Sequence, residues 1–356
     1  MIKFLHAADL HLDSPFAALP PEKAAARRRE QRELLDELVV LCNQEDCALL
    51  LLAGDLFDAE AARRDTWESL TRSLRNCRAR VFIAPGNHDF FASGSPYCEE
   101  WPENVHIFRD PFPTSVLVDD LNLTVWGAAF TSSASGPLLA GFRAEDPGRL
   151  NLMVLHGCVD GPTSPYNPIS VEQIAESGLD YLALGHIHAA SGARSAGKTV
   201  YAWPGCAMGR GFDELGEKGV YLGTLSENGC SLTFCPLPGR RYEILRVEAG
   251  DDPLASILDR LPPDTENDIY RIILTGPAEP PNLRALEREL SPRFFGLTLR
   301  DETRPVRDLW REAGEDGLKG LFLSILSAQR ESNPELYELA ARLGVAAMEG
   351  WEALDG

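Results

Sequence analysis

Five short apolar runs in the first 190 residues each break off into the same kinds of polar residue. Ile2 to Ala8 gives way to Asp9-Leu-His11, Ala48 to Ala53 to Gly54-Asp55-Leu-Phe-Asp58, and Arg80 to Ala84 to Gly86-Asn87-His88-Asp89. Leu150 to Leu155 gives way to His156-Gly157, and Tyr181 to Leu184 to Gly185-His186-Ile-His188. Apolar runs this short read as buried strands. The carboxyl ends of strands in an open α/β sheet form its ligand-binding edge, so residues as far apart as 9 and 188 are expected to meet. The two-residue period of an extended chain is expected to turn Asp9 and His11 the same way. Glycines 54, 86, 157 and 185 are expected to supply the sharp turns.

A lone histidine or aspartate at a strand end more often serves as a hydrogen-bonding residue than as a ligand. Five such ends in series point elsewhere. Aspartate, histidine and asparagine offer oxygen and nitrogen donors that suit divalent Mn, Fe or Zn rather than a thiolate site. Seven candidate ligands (Asp9, His11, Asp55, Asn87, His156, His186 and His188) are too many for one ion and suit two. Two ions about 3.5–4 Å apart hold a bridging hydroxide and a phosphate together. Asp55 is the natural bridging carboxylate. His106 is assigned to ordinary structure.

The rest of the chain sets limits. At 356 residues, with 44% hydrophobic and 25% charged content, it is long enough for two or three domains. Its longest apolar run, Cys47 to Ala53, is far short of the ~20 residues a membrane helix needs, and Met1-Ile2-Lys3 opens no signal peptide. A cytoplasmic protein without a membrane partner is expected. The eight cysteines include no Cys-x-x-Cys pair and are read as reduced thiols. A net charge of -20 argues against holding nucleic acid through the overall field.

Alternating apolar runs and helical segments make residues 1–240 a layered α/β domain, in which Pro21 to Cys42 reads as a long amphipathic helix. Past Pro238-Gly239 the pattern becomes β-α-β-α-β, read as a small second domain over 241–303. Residues 304–356 form a helical tail whose stretch from Leu318 to Leu326 is unusually apolar and must pack on something.

The series Asp-x-His, Gly-Asp-x-x-Asp, Gly-Asn-His-Asp, His-Gly and Gly-His-x-His resembles the calcineurin-like metallophosphoesterases, over the whole of residues 1–240. The resemblance implies a four-layer α-β-β-α sandwich of two mixed sheets. It implies that one ion takes Asp9, His11, Asp55 and His188 and the other takes Asp55, Asn87, His156 and His186. His88 is then the non-ligand histidine that steadies the scissile phosphate or protonates the leaving oxygen, with Asp89 expected to orient its imidazole.

Where protein phosphatases of this superfamily carry Asp-Arg-Gly, this chain has Asp58-Ala59-Glu60. The opening His-Ala-Ala-Asp-Leu-His-Leu-Asp-Ser-Pro-Phe, the Gly-Asp-Leu-Phe-Asp and the glycine-rich Trp203 to Val220 are similar instead to the SbcD-type DNA repair exonucleases, in particular their YhaO-like bacterial branch. That likeness implies a DNA exonuclease or endonuclease using two divalent ions, Mn first, with Fe, Zn or Mg as alternatives. The implied partners are duplex or single-stranded DNA ends, an SbcC-like ATPase subunit docked on the C-terminal helices, and a second copy in a homodimer. The capping domain fits the β-α-β-α-β pattern, while a tail helix packed on its own domain remains an equal reading.

Residues 251–356 hold 12 Lys and Arg against 21 Asp and Glu, so DNA affinity is expected to rest on the metals, local arginines and a partner. Arg27-Arg28-Arg29 and Arg72, Arg75, Arg78 and Arg80 are the densest basic positions, and solvated helix faces explain them as well. Arg210 is expected to touch substrate. Tyr166 is expected to stack on a nucleotide or to pack in a proline-rich turn. A hydrolase of nucleotides or other small phosphodiesters, and a non-catalytic scaffold of the same fold, are the alternatives.

Overall fold

Strands buried on both faces read as nearly continuous apolar runs, and several of them sit among the strands of residues 2–236. In the computed structural model, which describes residues 1–58, 63–144, 148–159, 161–304 and 309–350, these are β1 (Ile2–Ala7), β2 (Leu49–Leu52), β3 (Arg80–Ile83), β4 (Val105–Ile107), β5 (Thr114–Val118), β6 (Leu123–Gly127), β7 (Leu150–His156), the short β8 (Cys158–Val159) and β9 (Pro168–Ile169), β10 (Tyr181–Gly185), β11 (Arg194–Ala196), β12 (Thr199–Ala202), β13 (Gly219–Ser226) and β14 (Gly229–Pro236). Helices α1 (Pro21–Gln44), α2 (Arg64–Arg75) and α3 (Val171–Glu176) come between them. Ala59, Glu60 and the expected tail onset near Val306 lie outside the described residues.

Two six-stranded sheets result, in the orders β14-β13-β1-β2-β3-β4 and β11-β12-β10-β7-β6-β5. Strands β1 to β4 are mutually parallel, as are β6, β7, β10 and β12. Side-chain alternation assigns the layers. Leu5, Leu50, Leu52, Val81 and Ile83 face a core shared with Leu34, Leu35 and Leu38 of α1 and Leu70 and Leu74 of α2. Their neighbours Phe4, Leu49, Leu51 and Phe82 turn the other way, against Leu152, Val154, Tyr181 and Ala183 of the second sheet. On the far face of that sheet, Met153, Leu155, Leu182 and Leu184 pack with Ile174 of α3. The order of layers is therefore helix, sheet, sheet, helix.

The chain divides into two compact units, one of residues 1–245, 262–271 and 288–298, the other of 246–261, 272–287 and 299 onward. A three-stranded sheet of order β15-β16-β17 is made by β15 (Tyr242–Glu248), β16 (Ile269–Thr275) and β17 (Gly296–Asp301). Helices α4 (Pro253–Arg260) and α5 (Leu283–Leu290) fall between those strands, giving the β-α-β-α-β order. In the second unit, α6 (Leu318–Ser327) and α7 (Pro334–Glu349) pair through Leu323, Ala341 and Val345, which join Leu309 in a small core.

Candidate metal centre

The ligand-bearing loops do not leave the sheet as extended chain. Strand β1 ends at Ala7, and Asp9 and His11 take φ of +52° and +43°, so left-handed backbone rather than two-residue alternation brings the pair together. Asp55 (+50°) and His186 (+101°) share that region, which non-glycine residues rarely occupy. The loops after β1 and β2 zip to one another through Asp9 N to Gly54 O (3.1 Å), His11 N to Asp55 O (2.9 Å) and Leu12 N to Leu56 O (2.8 Å). Of the four expected turn glycines only Gly54 has a positive φ (+83°). Gly86 serves another need: a Cβ there would collide with the Asp55 carboxylate.

Three groups of ligand atoms cluster within 4.8 Å among the described residues: Asp9, His11 and His188; Asp9, Asp55 and His156; and His11, Asp58 and His88. His11 Nε2 stands 3.2 Å from His188 Nε2 and 3.7 Å from Asp55 Oδ2. His156 Nε2 lies 2.9 Å from Asn87 Oδ1 and 3.4 Å from Asp55 Oδ2. The imidazole of His186 lies with its centroid 5.2 Å from that of His156, and its backbone N–H donates to both Asp9 oxygens at 3.0 and 3.1 Å.

Hydrogen-bond partners lie behind three of these imidazoles. His156 Nδ1 faces the Ala53 carbonyl at 3.0 Å, an acceptor only, so it carries the proton and Nε2 is bare. His11 Nδ1 faces Asp58 Oδ1 at 3.1 Å, while His188 Nδ1 lies between the acceptor Glu214 Oε1 at 2.7 Å and the donor Arg210 Nη2 at 3.2 Å. The Nε2 atoms of His11 and His188 face each other across 3.2 Å, and His156 Nε2 faces an amide oxygen. Two imidazole nitrogens this close need a proton or a metal cation between them. With the carboxylates of Asp9 and Asp55 beside them, the donor set fits divalent ions, and His11, His156 and His188 are each backed by an oxygen acceptor.

Charge is arranged to match. Asp9 is fully buried, and burial drives its carboxyl upward. Burial acts upward on Asp55 too, but His156, His11 and the His88 amide outweigh it, so its carboxyl stays low. Burial and the neighbouring His156 hold His186 down at about 4, which keeps it neutral and fit to ligate.

The expected substrate and catalytic residues fare differently. His88 stands on the open side, its side chain 45% exposed, its amide donating to Asp55 Oδ1 at 3.0 Å and its ring edge-on to His11. Asp89 does not orient it. The Asp89 carboxylate is buried and accepts from the amides of Leu56 (2.7 Å), Phe57 (3.1 Å) and Gly86 (2.9 Å) and from the Tyr97 hydroxyl (2.5 Å), so it braces the loops that carry the ligands. The carboxylate facing His88 Nδ1 is Asp58, at 3.9 Å.

Arg210 is likewise spent: it forks onto Glu214 (2.6 Å) and reaches Asp58 (3.1 Å), which leaves it as a strut behind His188 and His11 rather than a substrate contact. Tyr166, half-buried, lies with its ring 5.0 Å from that of His186 and packs partly on the core beside it. Arg27 is wholly buried and so presents nothing to DNA. Arg78 and Arg80 pair with Asp46 and Asp120.

Sequence reasoning passed over Glu214, Gln31 and the role of Asp58. A signal existed for Gln31: with Arg27 it continues the period of buried positions 24, 34, 35, 38 and 42 on α1, where a polar side chain is out of place unless it holds something.

A Bacillus subtilis (strain 168) protein described as the uncharacterized metallophosphoesterase YhaO is 32% identical over 268 residues, 70% of this chain. The chain spans 63% of that relative's length. Two solved structures are more distantly similar. TT1561 of Thermus thermophilus is 13% identical with a TM-score of 0.39, over 62% of this chain and 93% of its own. A dimetal phosphatase from Danio rerio is 11% identical with a TM-score of 0.41, over 65% and 95%. Residues 2–190 match the calcineurin-like phosphoesterases, metal-dependent hydrolases of phosphoesters, and the chain belongs to that family.

Proposed function

We propose that this chain is a phosphodiesterase of the DNA-nuclease type, working with two divalent ions, Mn first among them. The observation that carries the metal reading is the convergence of Asp9, His11 and His188, and of Asp9, Asp55 and His156, the ligand atoms of each set lying within 4.8 Å of one another. Asp9, His11, Asp55 and His188 would hold one ion, and Asp55, Asn87, His156 and His186 the other. Bound there, the ions would acidify a water and offset the charge of the phosphate.

The protein's own groups do the rest. Asp55, low in pKa, stays ionised between the two halves of the site. His88 faces the open side and protonates the leaving oxygen. Arg210 gives its guanidinium to Glu214 and Asp58 and so offers no fork to a terminal phosphate dianion, which favours a diester, with its single charge, over a monoester. Tyr166 beside His186 is placed to stack on a base. In this reading the exposed apolar stripe of α6 and α7 docks an SbcC-like ATPase subunit, and the catalytic unit acts on DNA ends as a homodimer.

The test is Mn-supplemented digestion of labelled linear duplex and single-stranded DNA, beside a chromogenic phosphodiester. Shortened DNA, lost by about 100-fold or more in His88→Ala while metal content is unchanged, is the expected result. Intact DNA with a cleaved chromogenic diester would make it a small-substrate hydrolase, a reading to which the net charge of -20 lends weight. Loss of metal in His88→Ala would remove the acid role from that residue.

A further inference from the structure

We infer that Arg27 and Gln31, one turn apart on α1, are positioning residues for the half of the centre formed by Asp9, His11 and His188. The inference rests on the two-metal reading of that centre. Both side chains are buried, at 0% and 1% exposure. Gln31 Nε2 donates to the carbonyl of His11 at 2.9 Å and more weakly to that of Leu10 at 3.4 Å, gripping the ligand whose φ is +43°. Arg27 donates from Nη2 to the Gly209 carbonyl at 2.8 Å and from Nη1 to Glu30 at 2.6 Å. The residue after Gly209 is Arg210, and through Arg210 and Glu214 that loop holds His188 Nδ1. One turn of one helix thus fixes the backbone of one ligand and the loop behind another.

The energetics are those of a device rather than of a core. Arg27 Nε and Gln31 Oε1 have no hydrogen-bond partner among the described residues, so the helix buries two unsatisfied polar atoms at positions where leucine would pack without that penalty. A fold that carries such a cost beside a ligand loop gains geometry from it.

The test is a calorimetric titration with Mn2+ alone of the full chain, stripped by chelator, together with the melting temperature of the metal-free protein. Gln31→Met removes the donors and the orphan acceptor while keeping length, and Arg27→Lys keeps the charge but cannot fork between Glu30 and Gly209. One of two Mn2+ affinities should weaken by about 10–100-fold in each variant while the other holds and the metal-free melting temperature stays within a few degrees of wild type. Arg27→Met should be worse than Arg27→Lys. Unchanged affinities in both variants overturn the inference. So does weakening of both sites in step with a fall in the metal-free melting temperature, which would make the pair merely structural. A wild-type chain that binds no Mn2+ would instead sink the two-metal reading, before any variant is made.

Discussion

Asp89 shows what a single residue can hide. Beside His88 in sequence it looks like the partner of that imidazole, yet it turns inward and collects three amides and a tyrosine hydroxyl. Adjacent side chains on a turn need not share a direction, and a sequence does not show which distant loop needs an acceptor. Asp89→Ala should therefore cost at least about 3 kcal/mol, since it orphans several buried donors, whereas Tyr97→Phe should cost about 1.5–3 kcal/mol; urea unfolding of the two variants reads the difference. The pairing of Asp9 with His11 was legible, but the left-handed backbone that makes it was not, because strain is set by the loops on either side.

His6, by contrast, is a histidine of the core: fully buried, 2.8 Å from the Tyr181 hydroxyl, its pKa brought by burial down to about 3. The unfolded chain takes up a proton below about pH 6.5 that the folded chain refuses, so this group's share of stability rises with pH between 3 and 6.5 and is lost as pH falls. Between pH 7 and pH 5, wild type should lose about 2 kcal/mol more than His6→Gln, measured by chemical unfolding at both values.

At the scale of elements, the strands buried on both faces were read from their apolar runs to within a residue or two at most ends. The three-residue β4 and β11 and the edge strand β5 escaped notice. Strand β5 leaves Leu117 61% exposed, so its alternation carries little of the burial that makes a strand legible. The tail was legible as helix, and its apolar excess has a dual fate. Leu323 is sealed in the α6–α7 seam, while Leu318, Leu321 and Ile325 are 73%, 59% and 55% exposed. Leu323→Ala should cost about 2–5 kcal/mol of the stability of this helical pair. Leu321→Glu should change it by less than about 0.5 kcal/mol. Limited proteolysis of the full chain, following cleavage within 318–349, distinguishes the two.

At the scale of the molecule, two sheets whose ligand-bearing strands end together concentrate histidines and carboxylates in a chain that is acidic overall. With a net charge of -20, Arg27 buried, and Arg78 and Arg80 paired with acids, the surface supplies little attraction for a polyanion. The charge that receives a phosphoester must then come from the centre itself, which makes the number of ions bound there decisive. Elemental analysis after Mn2+ loading and dialysis, on wild type and on Asp55→Asn, measures it. Two ions per chain in wild type, falling to one or none when the shared carboxylate is removed, is the expected result; one ion or fewer in wild type, or two retained by Asp55→Asn, would contradict a two-metal centre bridged by Asp55.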